Sequence, residues 1–144
     1  KAIGFTRAED ANAAPGVIEA IAQADAIFVA PSNPFLSVDP ILSVAAITQA
    51  LAKAAAPKIC ISPLVGGTAV KGPTAKLMTE LGIAISNQAI AAHYGDWLDG
   101  MLHDESDAAL DALAARATHT IMKILEDKIR VAEAALGFAR ELRA

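Results

Sequence analysis

Three stretches of this sequence combine residue types that can bind or transform a small ligand. The first, residues 30–34 (APSNP), places a hydroxyl and a carboxamide between two prolines. The prolines stiffen the segment and so lower the entropic cost of holding polar groups towards a ligand. Ser32 can donate to a phosphate oxygen, and Asn33 can both donate and accept, as a base or ribose requires. The competing reading is that Asn33 closes a turn with its own backbone. The second stretch, residues 66–74 (GGTAVKGPT), reads as an anion site. Gly66, Gly67 and Gly72 let the backbone approach closely, the start of the next helix offers free amides, and Lys71 adds a positive charge. It is not a Walker A loop, because Gly72 follows the lysine instead of preceding it. Its competing reading is a flexible turn with a solvated lysine. The third stretch, residues 93–100, holds His93, Tyr94 and Asp96 as acid–base candidates or metal ligands, or else a structural histidine among solvated acids. Trp97 reads as a packing anchor. His103, with Asp104, Glu105 and Asp107, reads as a solvated helix approach, and His119 has no partner at metal-binding spacing; both read as non-catalytic.

The elements that must carry these stretches alternate. Residues 14–24 read as a helix and the apolar run 25–30 as a strand covered on both sides, stopped by Pro31 and Pro34. Asp39 before Pro40 reads as a helix start, with Ser37 and Asp39 as caps, and the helix is expected to continue to Lys53. Residues 57–62 form a second buried strand. The glycine-rich connection 63–72 then leads to a helix that begins near Pro73 and ends at Gly82, before a third strand at 83–86. Further on, the pattern predicts a helical turn over 87–92, a short strand over 100–103 and a helix over 107–117. An amphipathic helix over 124–143 is expected to turn Ile129, Ala132 and Leu136 inward. Alternating buried strands and helices predict an α/β fold with a mostly parallel sheet. Ligands gather beyond the carboxyl ends of such strands, where the first two stretches fall.

The 144 residues suit one domain, 1–144, and the 54% hydrophobic and 19% charged composition excludes intrinsic disorder. Aromatics make up only 4%, so the core must be built from small aliphatic side chains. A net charge of −4 argues against nucleic acid as a partner. The single Cys60, inside an apolar run, reads as a buried thiol in a reducing compartment. No apolar stretch reaches the length of a membrane span, and no signal peptide is visible.

The runs ADAIFVAPSNPFLSVDPIL, ISPLVGGTAVKGPTAKLMTELG and AAHYGDWLDG, in that order, resemble the 2-phospho-L-lactate transferase family, and the resemblance extends over residues 14–144. It implies a Rossmann-like α/β fold, incomplete at the amino terminus, because the family's opening GGxGG loop is absent. The chain is thus expected to be the carboxyl-terminal half of a larger transferase domain and inactive alone. The resemblance further implies a cytoplasmic, dimeric enzyme of coenzyme F420 biosynthesis. Such an enzyme transfers a phospholactyl or related phosphoryl-acid group from a guanosine diphosphate-linked donor to the deazaflavin Fo, releasing GMP with the help of Mg2+. Carried onto this sequence, Ser32, Asn33 and Pro34 would line the nucleotide side, and Gly66, Gly67, Lys71 and Gly72 would support the diphosphate. His93, Tyr94 and Asp96 would lie near the site, with the metal ligands expected upstream. Two rival readings are a non-catalytic nucleotide-binding or regulatory module and a structural or dimerisation domain.

Overall fold

The structure, a computed structural model, describes residues 3–69, 72–111 and 113–144. Helix α1 (Val17–Gln23) leads into strand β1 (Ile27–Val29). A π-helical turn (Pro34–Val38) runs into the short helix α2 (Asp39–Leu42), and helix α3 (Ala45–Lys53) leaves that pair at 87°. The single helix expected from Asp39 to Lys53 is therefore broken at Ser43 and Val44. The β-branched Val44 is extended (ψ 105°). Ser43 Oγ donates to the Pro40 carbonyl at 2.7 Å and Thr48 Oγ1 to the Leu42 carbonyl at 2.5 Å. Two side-chain hydroxyls thus satisfy carbonyls that helical amides would otherwise meet.

Strand β2 (Lys58–Ile61) is followed by a small hairpin of β3 (Leu64–Val65) and β4 (Thr68–Ala69), then by helices α4 (Thr74–Leu81) and α5 (Asn87–Tyr94). Strand β5 (Gly100–Asp104), strand β6 (Ala114–Thr118) and helix α6 (Leu125–Arg143) complete the order. The main sheet has four strands in the order β1-β2-β5-β6, and each neighbouring pair is parallel. Among the described residues no single helix is long and apolar enough to cross a membrane.

Two expected elements are replaced. Residues 83–86 form no strand. Gly82, in the left-handed region at φ 73°, closes α4, and Ser86 Oγ caps α5 by accepting from the Ala89 amide at 3.1 Å, so the segment is a link between two helix ends. The described residues of 107–117 form no helix. Their alanines favour one locally, but the open edge of β5 takes 114–118 as a parallel partner, with Gly100 opposite Ala114 and Asp104 opposite Thr118. Tertiary pairing outweighs local propensity here.

The sheet separates two apolar layers. Cys60 and Met101 face one side, against Phe35, Val38, Leu64, Met78, Ile90, Tyr94 and Leu98. Ile59, Ile61 and Leu102 face the other, under Val131, Ala135, Phe138 and Ala139 of α6. The two-residue period of a strand accounts for this division. Gly100 lets α6 sit close, since a Cβ there would lie 2.9 Å from both Leu142 Cδ1 and Phe138 Cε1. The expected inward face of α6 is corrected: Ile129 and Leu136 are each 47% exposed, Ala132 is exposed, and the stripe 131–135–138 points inward instead. The helix carries an apolar stripe on each side, so periodicity alone selects neither. Strand β1 is likewise not covered on both sides. It is a sheet edge, α6 lies chiefly over β2, β5 and β6, and Phe28 remains 37% exposed.

Candidate functional site

The carboxyl ends of β1, β2 and β6 converge on a cavity of about 370 Å³. The loop after β1 contributes Pro31, Asn33 and Ser37; the end of β2 contributes Ser62 and Pro63. Gly72, Pro73 and Thr74 enter at the start of α4, and Thr120, Ile121 and Met122 follow β6. The size falls within the usual range for ligand pockets, and the position is the crevice that open α/β sheets use.

Each wall is held by local chemistry. Asn33 Oδ1 accepts from the amides of Phe35 and Leu36, both at 3.0 Å, and so caps the π-helical turn whose first residue is Pro34. This corrects the expectation that Ser37 and Asp39 cap the helix: Asp39 lies within helical backbone, and its carboxylate meets His93 Nε2 at 2.8 Å. Asn33 thereby closes a turn and lines the cavity at once. Its Nδ2 is buried and has no hydrogen-bond partner.

On the second wall, Ser62 Oγ donates to Asn87 Oδ1 at 2.5 Å and accepts from the Leu64 amide at 3.0 Å. Asn87 Nδ2 donates to Asp107 Oδ2 at 3.1 Å, and Asp107 Oδ1 accepts from the Gly67 amide at 2.8 Å. A chain of four residues thus ties the hairpin tip to the cavity floor. The third wall hangs on Asp104 at the end of β5, where His103 and Asp104 are buried strand residues and not the solvated helix approach expected. Asp104 Oδ1 accepts from Ser106 N (3.0 Å) and Ser106 Oγ (2.5 Å), and its Oδ2 from Thr120 N (2.8 Å) and Thr120 Oγ1 (3.1 Å). Burial works to raise the pKa of Asp104, but these four donors outweigh it and hold the carboxyl down to about 2. The charge is thus part of the fold at neutral pH, and it fixes Thr120.

The residues singled out from the sequence are partly brought together. Asn33 and Gly72 share the cavity, whereas Lys71 lies outside the described residues. Ser32 opens onto a separate apolar groove along β1 with Phe28 and Ile41, and Pro34 is buried in the core. Gly66 (φ 59°) and Gly67 (φ 70°) form the tight turn of the hairpin, where positive φ at both central positions suits glycine. They line a different cavity of about 270 Å³ beside Ser86 and Asp107.

His93, Tyr94 and Asp96 do not converge. His93 joins α5 to α2 through Asp39 and packs on the Phe35 ring at 4.7 Å. Tyr94 is 4% exposed and stands in the core against Trp97, with its hydroxyl beside the Cys60 thiol and no hydrogen-bond partner of its own. Burial, with Cys60 and Asp39 adding to it, raises its pKa well above that of a free phenol. Asp96 borders a third hollow with Gln88 and Leu98. Among the described residues no group of three or more His, Cys, Asp or Glu is placed to hold a metal ion.

A larger, polar hollow of about 770 Å³ lies at the amino end of the sheet. Its two cations are already engaged: buried Lys58 meets Asp99 Oδ2 at 2.7 Å and donates to the Ala54 and Ala56 carbonyls, and Arg143 pairs with Asp25 Oδ1 at 2.8 Å. Ser62 and Thr120 were missed from the sequence. Ser62 directly follows a buried strand, so the strand-end rule applied to the first loop identifies it equally well. Thr120 was hidden by reading 107–117 as a helix, which removes the strand end that displays it.

An open parallel sheet with a crevice across its carboxyl ends defines a Rossmann-like α/β unit. The chain belongs to the family described as 2-phospho-L-lactate transferase CofD, whose model matches residues 2–138. It is 41% identical over 143 residues to a phosphoenolpyruvate transferase of Kitasatospora aureofaciens, covering 94% of this chain and 44% of that protein. It is also 41% identical over 143 residues to a phosphoenolpyruvate transferase of Streptomyces coelicolor (94% and 45%). A 2-phospho-L-lactate transferase of Methanosarcina barkeri is 33% identical over 141 residues (94% and 45%). The chain therefore spans somewhat under half the length of these relatives.

Proposed function

We propose that this chain forms the donor-binding wall of a transferase in coenzyme F420 biosynthesis. The whole protein moves a phospholactyl or related phosphoryl-acid group from a guanosine diphosphate-linked donor to a ribityl hydroxyl of the deazaflavin Fo. The hydroxyl oxygen forms a new bond to the phosphorus that carries the three-carbon acid. The bond from that phosphorus to GMP breaks, GMP departs with the electron pair, and the hydroxyl loses its proton. Such a transfer depends on positioning and charge neutralisation more than on covalent chemistry.

The observation that carries the reading is the cavity where Asn33, Ser62, Gly72 and Thr120 meet, at the strand ends of a chain in this family. Its lining side chains among the described residues are uncharged, which suits binding and orientation. Magnesium, when bound, would neutralise the diphosphate, held by residues outside this chain. The exposed apolar stripe of Leu125, Ile129 and Leu136 supports self-association as a homodimer, and the buried free thiol of Cys60 suits a cytoplasmic enzyme. The test is to incubate the whole protein with donor, Fo and magnesium and to follow GMP and the phosphodiester product by chromatography. Product is expected, and Asn33→Asp is expected to lower kcat/KM at least tenfold. Absence of product from the native protein would overturn the proposal.

A further inference from the structure

We infer that His93 is a positioning residue: it holds the π-helical turn that presents Asn33 and Ser37 to the cavity, a role that rests on reading this cavity as the donor site. Within the turn Pro34–Val38, the Asn33 carbonyl accepts from the Ser37 amide at 3.0 Å and from the Val38 amide at 3.3 Å. The Asp39 amide likewise reaches back five residues, to the Pro34 carbonyl. Such a turn holds one residue more than the α-helical turn it replaces, is rare, and occurs mostly at functional sites. Asn33 also caps it with its side chain, so its backbone and its carboxamide both take their direction from the turn. Burial of Phe35 and Val38 holds the inner side. Ordinary α-helical pairing lies close by, because the Ser37–Asn33 bond already has that spacing. Relaxing to it would drop one residue and swing Asp39 by about 100° around the helix axis relative to Phe35.

The contact that opposes this swing comes from α5, 54 residues along the chain. A carboxylate only accepts, so His93 Nε2 donates to Asp39 Oδ1, at 2.8 Å. The same imidazole packs on the Phe35 ring, with centroids 4.7 Å apart. One side chain thus grips the second residue of the turn and the residue just after its end. It keeps both contacts only while the extra residue stays in place. His93 does not line the cavity, so its effect on a ligand passes through Asn33 and Ser37. A residue that served stability alone would change the amount of folded protein and leave KM untouched. A residue that orients one wall of a binding site changes how tightly the ligand is held, which appears in KM.

The test measures kcat and the KM of the guanosine diphosphate-linked donor on the whole protein, for His93→Ala, Asp39→Ala, the double variant and His93→Gln. His93→Ala is expected to raise the donor KM at least fivefold and to change kcat by less than twofold. Because Asp39 acts through the same contact, the double variant is expected to be no worse than His93→Ala, whereas independent residues would multiply their effects. His93→Gln keeps a side-chain N–H for Asp39 but loses the ring, so it is expected to recover part of the loss. It also carries the test if His93→Ala does not fold. Hydrogen exchange of the chain itself gives a readout that needs no activity. The amides of Ser37, Val38 and Asp39 are expected to exchange at least tenfold faster in His93→Ala, with those of β2 and β5 unchanged. An unchanged donor KM, multiplied effects in the double variant, or turn amides that exchange as in the native chain would overturn the inference and leave the transferase function standing. Faster exchange confined to the turn, in a protein whose native form makes no product, would keep the hold of His93 on the turn and overturn the transferase reading.

Discussion

Replacing Asp104 by asparagine is expected to loosen both the short β5–β6 connection and the wall that carries Thr120. The carboxylate accepts two hydrogen bonds on each oxygen, from Ser106 and from Thr120. Asparagine keeps one oxygen and turns an NH2 group towards the other pair of donors. The hydroxyl of that pair can rotate away, but the backbone N–H cannot. A buried N–H left without an acceptor costs about 1–3 kcal/mol, and loss of charge assistance on the surviving bonds brings the total to about 2–4 kcal/mol. The lowered pKa of Asp104 expresses the same four bonds in a second way. A carboxyl lowered from 3.8 to about 2 on folding corresponds to about 2 kcal/mol of stability in the ionised form. Because the folded pKa is the lower one, this contribution is complete above about pH 4 and fades as the pH falls towards 2. Urea unfolding followed by circular dichroism is the assay. At pH 7 the variant is expected to lose about 2–4 kcal/mol and to melt about 10 °C lower, with the gap to the native chain narrowing between pH 4 and 2. A loss within about 0.5 kcal/mol, the usual range for surface changes, would refute the reasoning.

Two further expectations concern the core. Tyr94→Phe removes a buried hydroxyl that has no hydrogen-bond partner, so stability should be unchanged or rise by up to about 1 kcal/mol. Product formation by the whole protein should stay within about twofold; a large fall in kcat at unchanged stability would return Tyr94 to catalysis. Burial pushes the Cys60 thiol up to about 12. Ellman's reagent should therefore leave the native chain unlabelled at pH 8 and label it once in urea, and rapid native labelling would contradict the packing described.

What the sequence reveals here follows from how local each signal is. Strands β1 and β2 are legible as apolar runs bounded by prolines, and Gly82 marks a helix end that needs no tertiary knowledge. Strand β6 is not legible, because its alanines favour a helix and only the edge of β5 makes them a strand. The inward face of α6 is ambiguous for a related reason: both Ile129–Leu136 and Val131–Phe138 follow helical spacing, and the position of the sheet decides between them. At the site, Asn33 and Gly72 emerge from loop composition together with the strand-end rule. Ser62 and Thr120 act through partners far along the chain, Asn87 and Asp104, and such pairings leave no mark on local spacing. Gly66 and Gly67 show the converse, since a glycine pair suits an anion loop and a hairpin turn equally well in sequence, and the backbone angles here are those of the turn.

The most direct test of the account is to titrate guanosine diphosphate into the isotopically labelled chain and map amide shifts by nuclear magnetic resonance. Saturable shifts are expected at Asn33, Ser62, Thr74 and Thr120–Met122, with the Lys58–Asp99 hollow at the opposite end of the sheet unmoved. Shifts confined to that opposite end, or no saturable shifts at the strand ends, would contradict a donor site at the carboxyl edge of this sheet.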